Sequence, residues 1–194
     1  SRRDFTVNCI GYDILENTLL DPFEGIKDIK NKKLRHVGSA FAEDPLRVFR
    51  AMQFSARLEF NISSKTAKFC RKLDLSELPR ERIFEEFRKL LLKSKKPSIG
   101  FKTAKNIGVL EYFPELKALI GVPQDPEWHS EGDVWTHTMM VLDEAAKLRT
   151  GIEKKDMVLM FGALCHDFGK PLTTKLLNGR WRSHSHDKEG ITPT

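Results

Sequence analysis

Asp44, Arg47, Arg50 and Gln53 stand three residues apart in a stretch whose apolar spacing predicts a helix over 43–59. At about 100° per residue, each step of three drifts about 60° backward, so the four climb one side of that helix as a curved polar strip. Arg57 falls near Arg50, while Phe49 and Met52 turn away towards a core. A guanidinium offers paired donors and no acceptor, and a carboxylate offers acceptors only. Together they match the mixed edge of a nucleic-acid base. The competing reading is a salt-bridge strip on a solvated surface, worth roughly 0.3 kcal/mol per pair. The helix on its own favours the salt-bridge strip.

A second set of chemically capable residues lies further along. The run from Trp128 to Thr138, which contains His137, precedes one helical pattern, and the run from Cys165 to Lys170, which contains His166-Asp167, closes the next. Neutral imidazole and carboxylate are ligands for Mn²⁺, Ni²⁺, Mg²⁺ or Fe²⁺, and an adjacent His-Asp pair at a helix end can turn both side chains to one ion. Two packed antiparallel helices would bring His137 to that pair. A lone His-Asp pair, however, is more commonly a partner to backbone groups. His184 and His186 are either further ligands or surface residues, and for His186 the surface reading is preferred.

The elements that must position these groups follow from glycine, proline and hydrophobic period. Residues 1–38 alternate apolar positions (Val7, Cys9, Ile10, Tyr12, Ile14, Leu15) and turn at Asp21-Pro22-Phe23-Glu24-Gly25, which reads as strand and loop followed by a short helix. Helices are predicted over 43–59, over 63–73 after a Ser63/Ser64 cap, over 80–94 after Pro79, and over 98–107. Pro123 and Pro126 mark a boundary. Beyond it, Val134, Met140, Val141, Ala145 and Leu148 define one amphipathic helix, and Met157, Val158, Phe161, Leu164 and Cys165 another, ended by Gly169 and Pro171. Leu172 to Asp187 is polar, with a turn at Asn178-Gly179 and no clear secondary structure. The organisation expected is an α/β tail over 1–42, a helical body over 43–121 and an α-helical segment over 122–194.

Charge adds a partner class. The chain of 194 residues carries 33 Lys and Arg against 27 Asp and Glu, and 13 of the basic residues fall between Lys65 and Lys105 with only five acids, a local net charge of +8. A phosphate-bearing partner gains from such a cluster by counterion release, while a solvated helix surface accounts for it equally well. Three widely spaced cysteines, Cys9, Cys70 and Cys165, fit reduced, structural thiols. No run approaches the roughly 20 apolar residues that cross a bilayer, and the start has no signal-peptide core, so no membrane association and a cytoplasmic protein are expected.

The order of several segments is more informative than any one of them. Arg2-Arg3-Asp4-Phe5-Thr6-Val7-Asn8, then Asp21 to Asp28, then Glu43-Asp44-x-x-Arg47-x-x-Arg50-Ala51, then Arg80 to Lys89 resemble the successive second to fifth motifs of class II tRNA nucleotidyltransferases, the CCA-adding enzymes, and of bacterial poly(A) polymerases. The resemblance implies a mainly α chain: the C-terminal end of an α/β nucleotidyltransferase head (1–42), a helical neck (43–121), and part of an all-α phosphohydrolase domain of the HD type (122–194). It implies that Arg3 contacts the triphosphate or sugar of the incoming nucleotide, that Asp44 and Arg47 read the base of CTP or ATP, that Arg50 is a further nucleotide contact, and that Arg80 and Arg82 brace the neck. Where relatives commonly carry another Arg, this chain has the neutral Gln53.

The family's first motif, a Gly-rich turn followed by two aspartates one residue apart that hold Mg²⁺, does not occur in these residues. The catalytic aspartates are therefore not assigned, both ends are expected to be internal to a longer protein, and this chain is expected to bind nucleotide without transferring it. In the HD resemblance His137, His166 and Asp167 are metal ligands for Ni²⁺, Mn²⁺ or Mg²⁺, and the last ligand, an Asp, would lie beyond Thr194; Asp187 is a poor substitute. The activity implied is addition of C, C and A to tRNA 3′ ends, with tRNA, CTP and ATP as partners and an attached hydrolase for phosphoesters such as 2′,3′-cyclic phosphates. The alternatives are a poly(A) polymerase or a CC- or A-adding enzyme of the same family, an HD phosphodiesterase whose head is an RNA-binding remnant, and a non-catalytic RNA-binding module.

Overall fold

A computed structural model describes residues 3–191, and Arg2 of the first motif lies outside them. The described residues are mainly α-helical, with three small two-stranded sheets among them. It divides into two compact units, one drawn from the chain up to Ser94 together with Ile99–Val109, the other from Lys95–Ser98 and from Leu110 onwards.

The first unit begins differently from the predicted strand. Val7 falls in a 3-10 turn, Thr6–Asn8, because Asp4 accepts from the Phe5 N–H at 2.9 Å and the Asn8 amide at 2.8 Å and curls the backbone before a strand can start. The strands β1 (Gly11–Asp13) and β2 (Thr18–Leu20) form a hairpin instead, with Ile14 and Leu15 exposed at its turn. Asp21 accepts from the N–H groups of Gly25 (2.6 Å) and Ile26 (2.9 Å) and so starts α1 (Gly25–Lys30). Gly25 is required there, since a Cβ would sit 2.4 Å from the Thr6 carbonyl oxygen.

Helix α2 (Leu46–Leu58) is the centre of this unit and packs on α4 (Arg80–Lys93). The short strands β3 (Lys33–Leu34) and β4 (Asn61–Ile62) pair in parallel on either side of α2 in the sequence, and Ser63 caps α3 (Ser64–Cys70) by accepting from the Thr66 N–H. The core is aromatic. Phe5 meets Phe41 and Phe54 edge-on at 5.6 and 5.8 Å, and Phe87 bridges Phe49 and Phe101 at 6.2 and 6.0 Å. Helix α5 (Pro97–Ile107) approaches so closely at Gly100 that a Cβ would lie 2.4 Å from Leu90 and 2.9 Å from the Met52 carbonyl oxygen.

In the second unit, α6 (Pro114–Ala118) leads to α7 (Val134–Lys147), which packs on α8 (Glu153–Cys165). Asp133 caps α7 through the Thr136 N–H at 2.9 Å and also accepts from the Gly121 N–H at 2.7 Å. The buried face of α7 is Val134, Trp135, Thr138, Met139, Leu142, Ala145 and Ala146; Met140 and Leu148, expected in the core, are exposed, as is Val158 on α8. Gly169 and Pro171 do not simply end α8, for a single further turn, α9 (Lys170–Thr173), follows. The polar stretch after it is a hairpin, β5 (Thr174–Leu177) with β6 (Arg180–Ser183), turning at Asn178-Gly179 where both residues take positive φ (51° and 76°), the geometry that this pair tolerates best. A last turn, α10 (His186–Glu189), packs against α9. Among the described residues no helix is long and apolar enough to cross a membrane.

Candidate functional site

In the first unit the polar strip is not the uniform arc that its spacing predicts. The helix begins at Leu46, so Asp44 lies just outside it in extended conformation, where its carboxylate accepts from the Leu46 N–H at 3.2 Å. Gln53 is 1% exposed; with its amide oxygen towards Arg57 it accepts from that guanidinium at 2.7 and 3.2 Å. It is therefore an interior residue, correcting the reading of it as a member of the strip, because the helix rotates this position under Arg57 into the core. Arg50 and Arg57 share the Phe54 ring, their guanidinium carbons 5.1 and 5.8 Å from its centroid.

The four motif segments are bound to one another by their charged groups. Asp4, 5% exposed, accepts from Arg50 Nε at 2.5 Å. Thr6 donates to Asp28 at 2.5 Å, and Arg35 Nε donates to the same carboxylate oxygen at 2.9 Å. Asp44 accepts from Arg82 Nη2 at 2.9 and 3.2 Å, and Arg47 donates to the Ala40 carbonyl. Asp44, Arg47 and Arg50 remain partly exposed and Arg3 is exposed. In the basic stretch, Lys65, Lys68, Lys72, Lys93, Lys95, Lys96, Lys102 and Lys105 are exposed, whereas Arg71, Arg82, Arg88 and Lys89 are engaged by Asn106, Asp44, Glu85 and Glu86.

In the second unit the structure gathers His137, His166 and Asp167, with one ligand atom of each within 4.8 Å of the others. Three imidazoles are oriented alike. His166 Nδ1 donates to the Ala163 carbonyl at 2.9 Å and His186 Nδ1 to the Ser183 carbonyl at 2.7 Å, which leaves each Nε2 directed at Asp167, 3.2 and 3.7 Å from its oxygens. His137 Nδ1 lies 2.6 Å from Glu131 Oε1, so its Nε2 is the nitrogen left for a ligand. Glu131 also accepts from His129 at 3.0 Å; its own backbone N–H and the two imidazoles outweigh burial and hold its carboxyl at about 2.

Asp167 is 1% exposed, and no hydrogen bond of ordinary geometry reaches its buried Oδ2, although Lys170 Nζ stands 2.8 Å away. Burial pushes this carboxyl up, and the neighbouring His166 and Lys170 more than reverse the effect, holding it at about 2. Contact with Asp167 in turn holds His166 above its ordinary value. Imidazole nitrogens with their opposite N–H groups tied to oxygen, around an incompletely satisfied buried carboxylate, fit a divalent transition ion.

Glu131, His129 and Lys170 do not stand out as site residues in the sequence alone. Their signal is present only as the short run around His137 and as a lysine one turn after Asp167. His186 faces Asp167 rather than standing on the open surface, because the backbone of His186 and Gly190 presses on Gly169, where a Cβ would be 2.0 Å from the His186 carbonyl oxygen. His184 is exposed and lines a separate shallow cleft with Leu172 and Lys175.

Comparison with known proteins agrees with the motif order. Residues 1–35 match the family described as "Poly A polymerase head domain", and residues 59–120 match "Probable RNA and SrmB- binding site of polymerase A". The chain belongs to the family of class II tRNA nucleotidyltransferases and bacterial poly(A) polymerases. Within it, the chain is similar to the multifunctional CCA proteins of Mannheimia succiniciproducens (43% identical over 200 residues, 99% of this chain and 47% of the relative) and Xylella fastidiosa (42% over 202 residues, 100% and 47%). It thus spans about half the length of the curated relatives it matches. A solved tRNA nucleotidyltransferase complexed with a primer tRNA and an incoming ATP analog is 28% identical, with a TM-score of 0.52 over 82% of this chain and 52% of that one. The apo form of a CCA-adding enzyme, at 20% identity, shares the fold with a TM-score of 0.59 over 86% of this chain and 38% of that one.

Proposed function

We propose that the chain is the nucleotide-selecting and tRNA-holding part of an enzyme that adds C, C and A to tRNA 3′ ends from CTP and ATP in the cytoplasm. The observation that carries this reading is the interlock of four motif segments in one unit: Asp4 with Arg50, Thr6 with Asp28, and Asp44 with Arg82. Such cross-bracing holds charged side chains at fixed places, as reading a base edge demands, and a solvated salt-bridge strip has no need of it. Asp44 and Arg47 read the base, Arg3 contacts the triphosphate or sugar, Arg50 is a further nucleotide contact, and the exposed lysines between Lys65 and Lys105 hold the tRNA backbone. Residues 1–42 act as the end of the head, 43–121 as the neck. Nucleotidyl transfer requires Mg²⁺, for which these residues supply no pair of aspartates one residue apart, so no step of the transfer is assigned to them.

The His137, His166 and Asp167 cluster supports a second activity in residues 122–194, an HD-type metal-dependent phosphohydrolase. A bound Ni²⁺, Mn²⁺ or Mg²⁺ would supply Lewis-acid chemistry to a phosphoester such as a 2′,3′-cyclic phosphate. The chain's own residues orient the ligands: Glu131 fixes His137, the Ala163 carbonyl fixes His166, and Lys170 holds Asp167. This cluster favours CCA addition over poly(A) synthesis, because poly(A) polymerases of the family generally lack an HD segment.

The decisive experiment is nucleotide incorporation by the full-length protein on tRNA ending before CCA, with Arg47→Ala as the variant. Scrambled choice between CTP and ATP, with tRNA binding little changed, is the expected result. Unchanged selectivity would sink the base-reading role of the strip, and incorporation that stops after CC, that adds only A, or that runs on as poly(A) would select the corresponding relative.

A further inference from the structure

Arg35, Arg50, Arg82 and Arg88, all in the first unit, each face a carboxylate, at 2.9, 2.5, 2.9 and 3.0 Å. Arg57 meets a neutral group instead: the Gln53 amide oxygen accepts from its Nη1 and Nε at 2.7 and 3.2 Å. Among the described residues no carboxylate pairs with Arg57, which is exposed at the last turn of α2. Gln53 itself is 1% exposed, and a buried amide that commits its acceptor to an exposed cation fixes where that cation stands. A carboxylate at position 53 would hold the guanidinium as well, but it would cancel the charge. The amide holds it and leaves the charge to act.

Arg50 and Arg57 lie two turns apart on α2 with Phe54 between them, their guanidinium carbons 5.1 and 5.8 Å from its ring centroid. Phe54 packs edge-on against the fully buried Phe5 at 5.8 Å, so both cations rest on a fixed aromatic surface. Like charges gathered at one ring repel each other, and an anion laid along them relieves the repulsion. Gln53 engages two N–H donors of Arg57, and the remaining donors form a fork of the kind that phosphate oxygens accept from.

Between Arg47 and Arg57 the helix rises about 15 Å, comparable to the length of an extended nucleoside triphosphate. With the base at Asp44 and Arg47, and Arg50 as the next contact, Arg57 continues the same line towards the end of the phosphate chain. We infer that Arg57, positioned by Gln53, binds the terminal phosphate of the incoming nucleoside triphosphate and so makes the strip selective for a triphosphate over a monophosphate. The inference rests on the nucleotide-reading role proposed for the strip, and it adds the residue that senses the length of the phosphate chain.

The test is calorimetric titration of the full-length protein with ATP and with AMP, in EDTA so that metal binding to the phosphates does not enter. In Arg57→Met, which keeps the side-chain stem beside Phe54 and removes the charge, the ratio of ATP to AMP affinity is expected to fall about tenfold with AMP binding little changed. Gln53→Glu leaves Arg57 in place and offsets its charge, and it should lower the same ratio, a result that a purely structural role for Arg57 does not produce. A ratio at the wild-type value in either variant overturns the inference; should Arg57→Met not fold, Gln53→Glu decides alone. Arg57→Met that weakens tRNA binding and leaves the ratio intact also overturns it, because the guanidinium would then hold the RNA backbone. The base-reading role is judged separately by Arg47→Ala: unchanged choice between CTP and ATP in that variant, with a ratio that still responds to Arg57→Met, removes the base reader and keeps the phosphate contact.

Discussion

Asp4 Oδ2 and Arg50 Nε, 46 residues apart in the chain, meet at 2.5 Å with the carboxylate almost fully buried. The same carboxylate holds the Phe5 N–H and the Asn8 amide. Asp4→Ala is expected to destabilise the first unit by about 2 kcal/mol, since it strips a charged partner and leaves buried donors unsatisfied. Arg50 is about one-third exposed and regains water, which limits the loss, and a double-mutant cycle with Arg50→Ala should return a coupling of about 1 kcal/mol in urea denaturation. Additive effects would show that the pair is incidental.

Glu131 shapes the candidate metal centre through His137. In Glu131→Gln the acceptor charge is removed while the side-chain size is kept, so His137 loses the charged oxygen that orients its ring. Mn²⁺ affinity is expected to fall about tenfold in titrations run at a temperature where both proteins are folded. A Glu131→Asp variant that recovers part of the affinity would identify orientation as the cause, and unchanged Mn²⁺ binding in Glu131→Gln would remove Glu131 from the site.

His36 gives the first unit a pH dependence. It is 8% exposed, stacked on Phe69 at 4.8 Å and hydrogen-bonded to Thr66, and burial, then the charges of Lys65 and Arg35, push its pKa below the ordinary 6.5. Below pH 6.5 the unfolded chain takes up a proton that the folded chain resists. Stability present at neutral pH therefore declines as pH falls through 6.5 towards the folded value and stays lower beneath it. Urea midpoints compared at pH 7.5 and 5.0 should show a drop in the wild type that is smaller in His36→Phe.

Lys95 and Lys96 are exposed in the stretch with the +8 local charge. Replacing both by Ala should weaken tRNA binding and lower the slope of log affinity against log salt by about one for each phosphate that a lysine no longer neutralises, with nucleotide choice intact. A slope identical to wild type would place the tRNA elsewhere.

The main helices, the Ser63 and Asp133 caps, the Asn178-Gly179 turn and the order of motifs that marks the family are all written in the amino-acid order. Each depends on interactions within a few residues, or on residue identity alone, so the local pattern is enough. Which charge meets which, and which faces are buried, is not written there. Gln53 reads as part of a polar strip but lies under Arg57, and Met140 and Leu148 read as core but are exposed. Likewise, Asp4 with Arg50, Asp44 with Arg82, and His186 beside Asp167 are pairings across loops and between elements. They are set by how α2, α4 and the α9–α10 turns pack, and by close approaches that only Gly25, Gly100 and Gly169 permit. The residue types announce a polar strip and a set of candidate metal ligands; the packing of distant elements chooses the partners that hold each group in position.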